Sequence, residues 1–189
     1  MITGQVTGII LAGGESKRMG TLKPLVEYKG KPLIRWLYDA LSPICSEIII
    51  IANSGDFSEL PVKVYPDNYP GTGPAAGIEA GLGHCSTSLA IITSCDTPNL
   101  PTAFFEYLLA HHQGFDISIA GHDETNEPLI GVYSKSVHAA YKNALITGDP
   151  HPPRIMKKCS WQEITVGPDQ NFWHPDLFLN LNTPSDLKK

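Results

Sequence analysis

Leu11, Ala12, Gly13 and Gly14 close an apolar run, and Lys17, Arg18 and Lys23 follow within nine residues of the second glycine. Adjacent glycines remove Cβ atoms, so backbone N–H and C=O groups can approach a flat base or a phosphate. Arg18 offers a planar fork of donors that suits a phosphate. Lys23 offers a point charge that can follow negative charge as it moves. A turn after a strand needs none of these cations, so the stretch points to a bound polyanion such as a nucleoside triphosphate. Lys17 taken alone is an ordinary solvated lysine. Three more polar residues, Asn53, Asp67 and Asp96, stand just past other apolar runs.

Two better-known glycine motifs do not account for the loop. A Walker A loop needs four residues between its glycines and then Lys; here five residues separate Gly14 from Gly20, and Thr21 follows. The stretch GTGPAAG at 71–77 is GxGxxxG, contains a proline and does not directly follow a strand, so it is a poor dinucleotide fingerprint.

These residues need elements to hold them. VTGIILA (6–12), SEIIIIAN (46–53) and SLAIITSCD (88–96) read as strands buried on both faces. VKVYPD (62–67), FDISIA (115–120), EPLIGVYS (127–134) and SWQEITV (160–166) read as further strands. Helices are predicted over KPLIRWLYDALSP from residue 31, in the small-residue stretch after Gly73, over TAFFEYLLAHH (102–112) and over VHAAYKNALITG (137–148). A short basic helix is expected within 149–159, and a strand end followed by a helix start over FLNLNTPSDLKK, with Thr183 as N-cap before Pro184. Alternating strands and helices imply an α/β fold of three layers around a mostly parallel sheet. Such sheets bind ligands at the carboxyl ends of their strands. The loop after Ala12, Asn53, Asp67 and Asp96 would then share one crevice.

Composition narrows the partners. The chain has 189 residues, 42% hydrophobic and 17% charged, with a formal net charge of -5. That is an ordinary globular balance without a basic surface, so neither nucleic acid nor an anionic membrane is an expected partner. No apolar run approaches the ~18 residues of a membrane helix. Cys45, Cys85, Cys95 and Cys159 form no CxxC pair, and the histidines form no zinc-type spacing. They read as reduced thiols, and the expected location is the cytoplasm.

The stretch LAGGESKRMGTLKPL resembles the signature of the nucleotidyltransferase family that includes molybdenum-cofactor guanylyltransferase. IAN (51–53), YPD (65–67), GPAAGIEAGL (73–82), SCDTPNLP (94–101), EPLIGVYS (127–134) and NLNTPSDL (180–187) resemble that family's blocks in the same order, which covers nearly the whole chain. The resemblance implies a single Rossmann-like domain over 1–189, with a nucleotide-binding part to about residue 100 and an acceptor-binding part beyond. It implies GTP as donor, magnesium, and molybdopterin as acceptor, whose terminal phosphate attacks the α-phosphate of GTP and releases pyrophosphate. Transient contact with other molybdenum-cofactor proteins would follow. Related cytidylyltransferases typically carry LAAG where this sequence has LAGG at 11–14, which fits a purine.

Carried over by position, Leu11, Ala12, Gly13, Gly14, Lys23, Asn53, Asp67 and Asp96 would contact the nucleotide, and Asp96 would hold the metal. Arg18, Lys23 and Asp96 are the catalytic candidates. Elementary chemistry agrees: magnesium takes one or two carboxylates and completes its shell with water and phosphate oxygens. A carboxylate at Asp67 could accept the N1–H and N2–H of guanine, or bind the ribose. Each residue also has a purely structural alternative. Asp96 could form an Asx-turn or cap the helix at 101, and Asp67 and Asn53 could arrange turns. Asn180, Asn182 and Arg154 are the acceptor-side candidates, the two asparagines facing one way if they alternate on a strand.

Leu22, Ala75 and Glu127 depart from the family, which often has Asp, Leu and His there. The rival expectations are CTP in place of GTP, a sugar phosphate or cobinamide phosphate as acceptor, or a nucleotide-binding adaptor without catalysis.

Overall fold

The computed structural model describes residues 6–13, 22–183 and 185–188. In chain order its elements are β1 (Val6–Leu11), the two-residue strands β2 (Glu27–Tyr28) and β3 (Lys31–Pro32), α1 (Leu33–Leu41), β4 (Glu47–Ile51), β5 (Lys63–Tyr65), α2 (Pro74–His84), β6 (Leu89–Ser94), α3 (Thr102–His111), β7 (Ile117–His122), β8 (Thr125–Ser134), α4 (His138–Ile146), α5 (Pro152–Met156) and β9 (Trp161–Thr165).

β1 is buried along its whole length and lies between two parallel neighbours, β4 and β6. Its nearly continuous apolar run, broken only by Thr7 within the strand, is what covered faces on both sides require. The large sheet has the order β5-β4-β1-β6-β8-β7-β9 and is parallel except for β8, which runs antiparallel to β6 and β7. Successive β1 side chains enter opposite cores. Ile10 joins Ile50, Ile91, Phe104 and Phe105 beneath α1 and α3. Ile9 and Leu11 join Ile49, Ile92, Tyr133 and Tyr141 beneath α2, α4 and α5. The three-layer α/β fold anticipated from the sequence is the observed one.

The helices follow from local sequence. α1 begins after Pro32 and buries Leu33, Ile34, Leu37, Ala40 and Leu41, the one-sided spacing of an amphipathic helix. α2 is built of small residues because it lies close against β1: a Cβ at Gly81 would sit 2.6 Å from Ile9 Cγ2. The chain enters α2 through Gly73 at φ 88°, a conformation that excludes most side chains.

The sheet order adds to the sequence expectation at β8, and the chain departs from it near Asn180 and Asn182. β8 is inserted between β6 and β7 by a tight turn at Asp123 and Glu124, both at positive φ. The segment around Asn180 and Asn182 forms no strand; it runs to a 3-10 turn at Asp186–Lys188. There the Asp186 carboxylate accepts from the Asn182 and Thr183 backbone N–H groups at 3.1 and 2.9 Å. That hydrogen bonding replaces ladder pairing. Pro184 lies outside the described residues, and with it the expected N-cap junction. Leu181 instead packs into a third, small core with Tyr28 and Leu33, flanked by Trp36, Leu179 and Leu187. All four cysteines are free thiols. Among the described residues no helix is long and apolar enough to cross a membrane.

Candidate active site

The parallel ladder continues past the strand ends and forms the floor of a crevice. Ala12 N–H donates to the Ile51 carbonyl at 2.9 Å, and Cys95 N–H to the Leu11 carbonyl at 3.1 Å. Leu11, Ala12 and Asp96 are thereby fixed beside one another. Gly13 follows at the surface; among the described residues a Cβ there would approach only the Ile51 carbonyl, at 4.0 Å.

Above this floor three distant segments converge. Lys23 opens the 3-10 turn Lys23–Leu25. Its Nζ lies 3.3 Å from Asp96 Oδ2 and donates to Asn182 Oδ1 at 2.6 Å. The Lys23 and Asp96 side chains are only 16% and 21% exposed, so their charges are partly shielded from water and interact more strongly than a surface pair would. Asn182 is delivered by main chain: Leu181 N–H donates to the Asp96 carbonyl at 2.8 Å, and the Leu181 side chain is fully buried. Asp96 does not cap the following helix. α3 has Pro101 as its N-cap residue and no side-chain cap, and among the described residues the other Asp96 oxygen has only a long 3.4 Å contact with the Thr97 hydroxyl. That carboxylate is left accessible to a cation. Its neighbour Cys95 is a buried thiol, pushed up to about 12 by burial and then by the Asp96 charge, so it stays protonated and is no nucleophile.

A second cluster lies at the ends of β4 and β5. Asn53 Nδ2 donates to Asp67 Oδ2 at 2.8 Å, and Asp67 N–H donates to Asn53 Oδ1 at 3.0 Å. The other oxygen, Asp67 Oδ1, is buried and has no partner among the described residues. A buried acceptor of this kind is costly unless something donates to it.

Sequence reasoning passed over one member of this region. Glu79 is buried in α2, where it accepts from Asn68 Nδ2 at 2.9 Å and from His138 Nε2 at 3.0 Å. The signal was a lone carboxylate within PAAGIEAGLGH, a helix otherwise of small and apolar residues and one histidine.

Gly14, Lys17 and Arg18 lie outside the described residues. Asn180 is exposed, two residues before Asn182. Arg154 is not brought to the crevice cluster: its guanidinium pairs with Asp149 at 2.9 Å, and α5 packs Ile155 and Met156 into the core beneath α2 and α4. Glu127 meets His122 at 3.2 Å, and that imidazole stacks on Phe178 at 3.8 Å between centroids. A cleft of about 550 Å³ between the end of α1 and the start of β4 contains none of the sequence-predicted residues. Among the described residues no group of three or more His, Cys, Asp or Glu could hold a metal by itself.

Residues 8–163 match the MobA-like NTP transferase domain family. A probable molybdenum cofactor guanylyltransferase of Carboxydothermus hydrogenoformans is 34% identical over 189 residues, covering 97% of this chain and 94% of that protein. The molybdenum cofactor guanylyltransferase of Yersinia pestis is 34% identical over 185 residues, covering 96% and 92%. Among solved structures, molybdopterin-guanine dinucleotide biosynthesis protein A of Archaeoglobus fulgidus superposes with a TM-score of 0.80 at 26% identity, covering 96% of this chain and 95% of that one.

Proposed function

The chain belongs to the MobA-like NTP transferase family, and from that premise we propose that it transfers GMP from GTP to the terminal phosphate of molybdopterin. An acceptor phosphate oxygen forms a bond to the α-phosphorus of GTP. The bond from that phosphorus to the bridging oxygen breaks, and pyrophosphate leaves with the electron pair. The product is the guanine dinucleotide form of the cofactor. Relatives named molybdenum cofactor guanylyltransferase support this choice of substrates.

The observation that carries the reaction type is the convergence of Lys23, Asp96 and Asn182 at the carboxyl ends of the strands. Transfer of this kind depends on positioning and charge stabilisation rather than on a protein nucleophile. Lys23 supplies a mobile positive charge that turns from Asp96 to the phosphates as they bind. Asp96 is one hard oxygen donor with an accessible face, and Asn182 Oδ1 is a second nearby. This donor set fits magnesium, which needs few protein ligands when phosphates complete its shell. Bound there, magnesium would neutralise phosphate charge and polarise the α-phosphate. Leu11, Ala12 and Gly13 present backbone to the nucleotide, with Gly14 and Arg18 next in the chain. Asp67 Oδ1 supports the choice of guanine, since the N1–H and N2–H donors would satisfy a buried acceptor that lacks a partner among the described residues.

The test is thermal stability with magnesium and GTP, CTP, UTP or ATP at equal concentration. A ligand at ~100 times its dissociation constant stabilises by about 2.7 kcal/mol, enough to rank the four. A shift with GTP, followed by pyrophosphate release on adding molybdopterin, is the expected result. A preference for CTP would move the chain to a sister activity, and binding without pyrophosphate release would make it an adaptor.

A further inference from the structure

We propose that Glu79 is a positioning residue, holding the loop that carries Asp67 at the depth from which Asp67 reads guanine. This rests on the GTP assignment above. Glu79 is 2% exposed, and a carboxylate at that depth is costly unless its oxygens are satisfied. Both are, and by different elements. Oε1 accepts from His138 of α4 at 3.0 Å. Oε2 accepts from Asn68 at 2.9 Å, and Asn68 follows Asp67 directly in the chain.

Residues 66–73 contain no strand or helix. At the tip of this loop, the Thr72 N–H and hydroxyl both donate to the Tyr69 carbonyl, so these contacts close the tip on itself and leave its position unset. Its position is set at two successive residues. Asn53 grips Asp67 from β4, and Glu79 grips Asn68 from α2. With the second grip lost, Asp67 could swing about its link to Asn53, and Oδ1 would leave the place a base must occupy. His138 fixes Glu79 itself and packs over Gly83, where a Cβ would come within 3.2 Å of Nε2.

A carboxylate that merely joined α2 to α4 would need only His138. Asn68 separates the two roles, because it is exposed and contributes nothing to either core. Asn68→Ala therefore removes the tether without opening the interior. Glu79→Gln removes the carboxylate charge from both hydrogen bonds and so weakens the grip on Asn68.

The experiment measures dissociation constants for GTP and for ITP, which lacks the 2-amino group, in the wild type, Asn68→Ala, Glu79→Gln and the double variant. Amide exchange over 66–73 is followed without nucleotide. Each single variant is expected to weaken GTP about tenfold and ITP far less. The double variant should be no worse than the weaker-binding single, because both remove one link. Loop amides should exchange faster in Asn68→Ala at unchanged melting temperature. GTP binding within about twofold of wild type with unchanged loop exchange would overturn the proposal, as would losses that add in full. If Glu79→Gln fails to fold, Asn68→Ala alone decides. If the wild type binds GTP and ITP equally, the guanine role of Asp67 falls, and loop exchange still decides the tether.

Discussion

The two ends of the crevice are assembled in opposite ways. Asn53 and Asp67 are 14 residues apart and stand at the ends of neighbouring strands, so the β4–β5 ladder nearly suffices to bring them together. Lys23, Asp96 and Asn182 span 159 residues and meet through tertiary contacts: the Leu181 N–H bond to the Asp96 carbonyl and the small core of Tyr28, Leu33 and Leu181. The Asn53–Asp67 end, the proposed nucleoside site, is local and scaffolded by the sheet. The Lys23–Asp96–Asn182 end, the proposed phosphate site, depends on tertiary closure.

That contrast can be broken at defined points. Asp96→Asn should lower pyrophosphate release by about 10²–10³-fold at nearly unchanged melting temperature, as loss of a charge-stabilising group does. Full activity in that variant would remove Asp96 from the mechanism. Leu181→Ala should cost about 3 kcal/mol of stability and lower turnover through Asn182, while guanosine affinity holds. Equal loss at both ends would mean that closure also supports the nucleoside end. Lys23→Ala should weaken GTP by roughly thirtyfold and guanosine hardly at all, since a charge-assisted contact to phosphate is lost; calorimetry with both ligands separates the cases. Asn53→Ala should raise the guanosine dissociation constant by about fivefold and leave turnover at saturating GTP close to wild type. Cys95 tests the floor beneath both ends. Burial raises its thiol to about 12, so at pH 8 its thiolate fraction is very small. Alkylation followed by mass spectrometry should find Cys95 unmodified until the protein unfolds.

The sequence was informative where local chemistry and burial coincide. β1, β4 and β6 are mostly apolar and rich in β-branched residues because the sheet is covered on both faces, and Asp96 marks a strand end that the apolar pattern locates within two residues. The antiparallel insertion of β8 was not legible, since an apolar run does not encode which strand it will pair with. Asn180 and Asn182 share a spacing that suits a strand, but the Asp186 carboxylate takes the backbone N–H groups on which a ladder would depend. Only Asn182 then reaches Lys23. Glu79 was hidden for a different reason: its partners come from a loop and from a helix 59 residues away, and no short motif spans that distance. Arg154 follows two prolines and pairs at the surface with Asp149, five residues earlier.

The contact between Lys23 and Asn182 also orders events during synthesis. The two residues are 159 positions apart, so at roughly 5–20 residues per second the lysine leaves the ribosome on the order of 10 s before the asparagine is made. Asn53, Asp67 and Glu79 have all emerged by then. A nascent chain therefore has both members of the Asn53–Asp67 pair outside the ribosome before the Lys23–Asn182 contact can form.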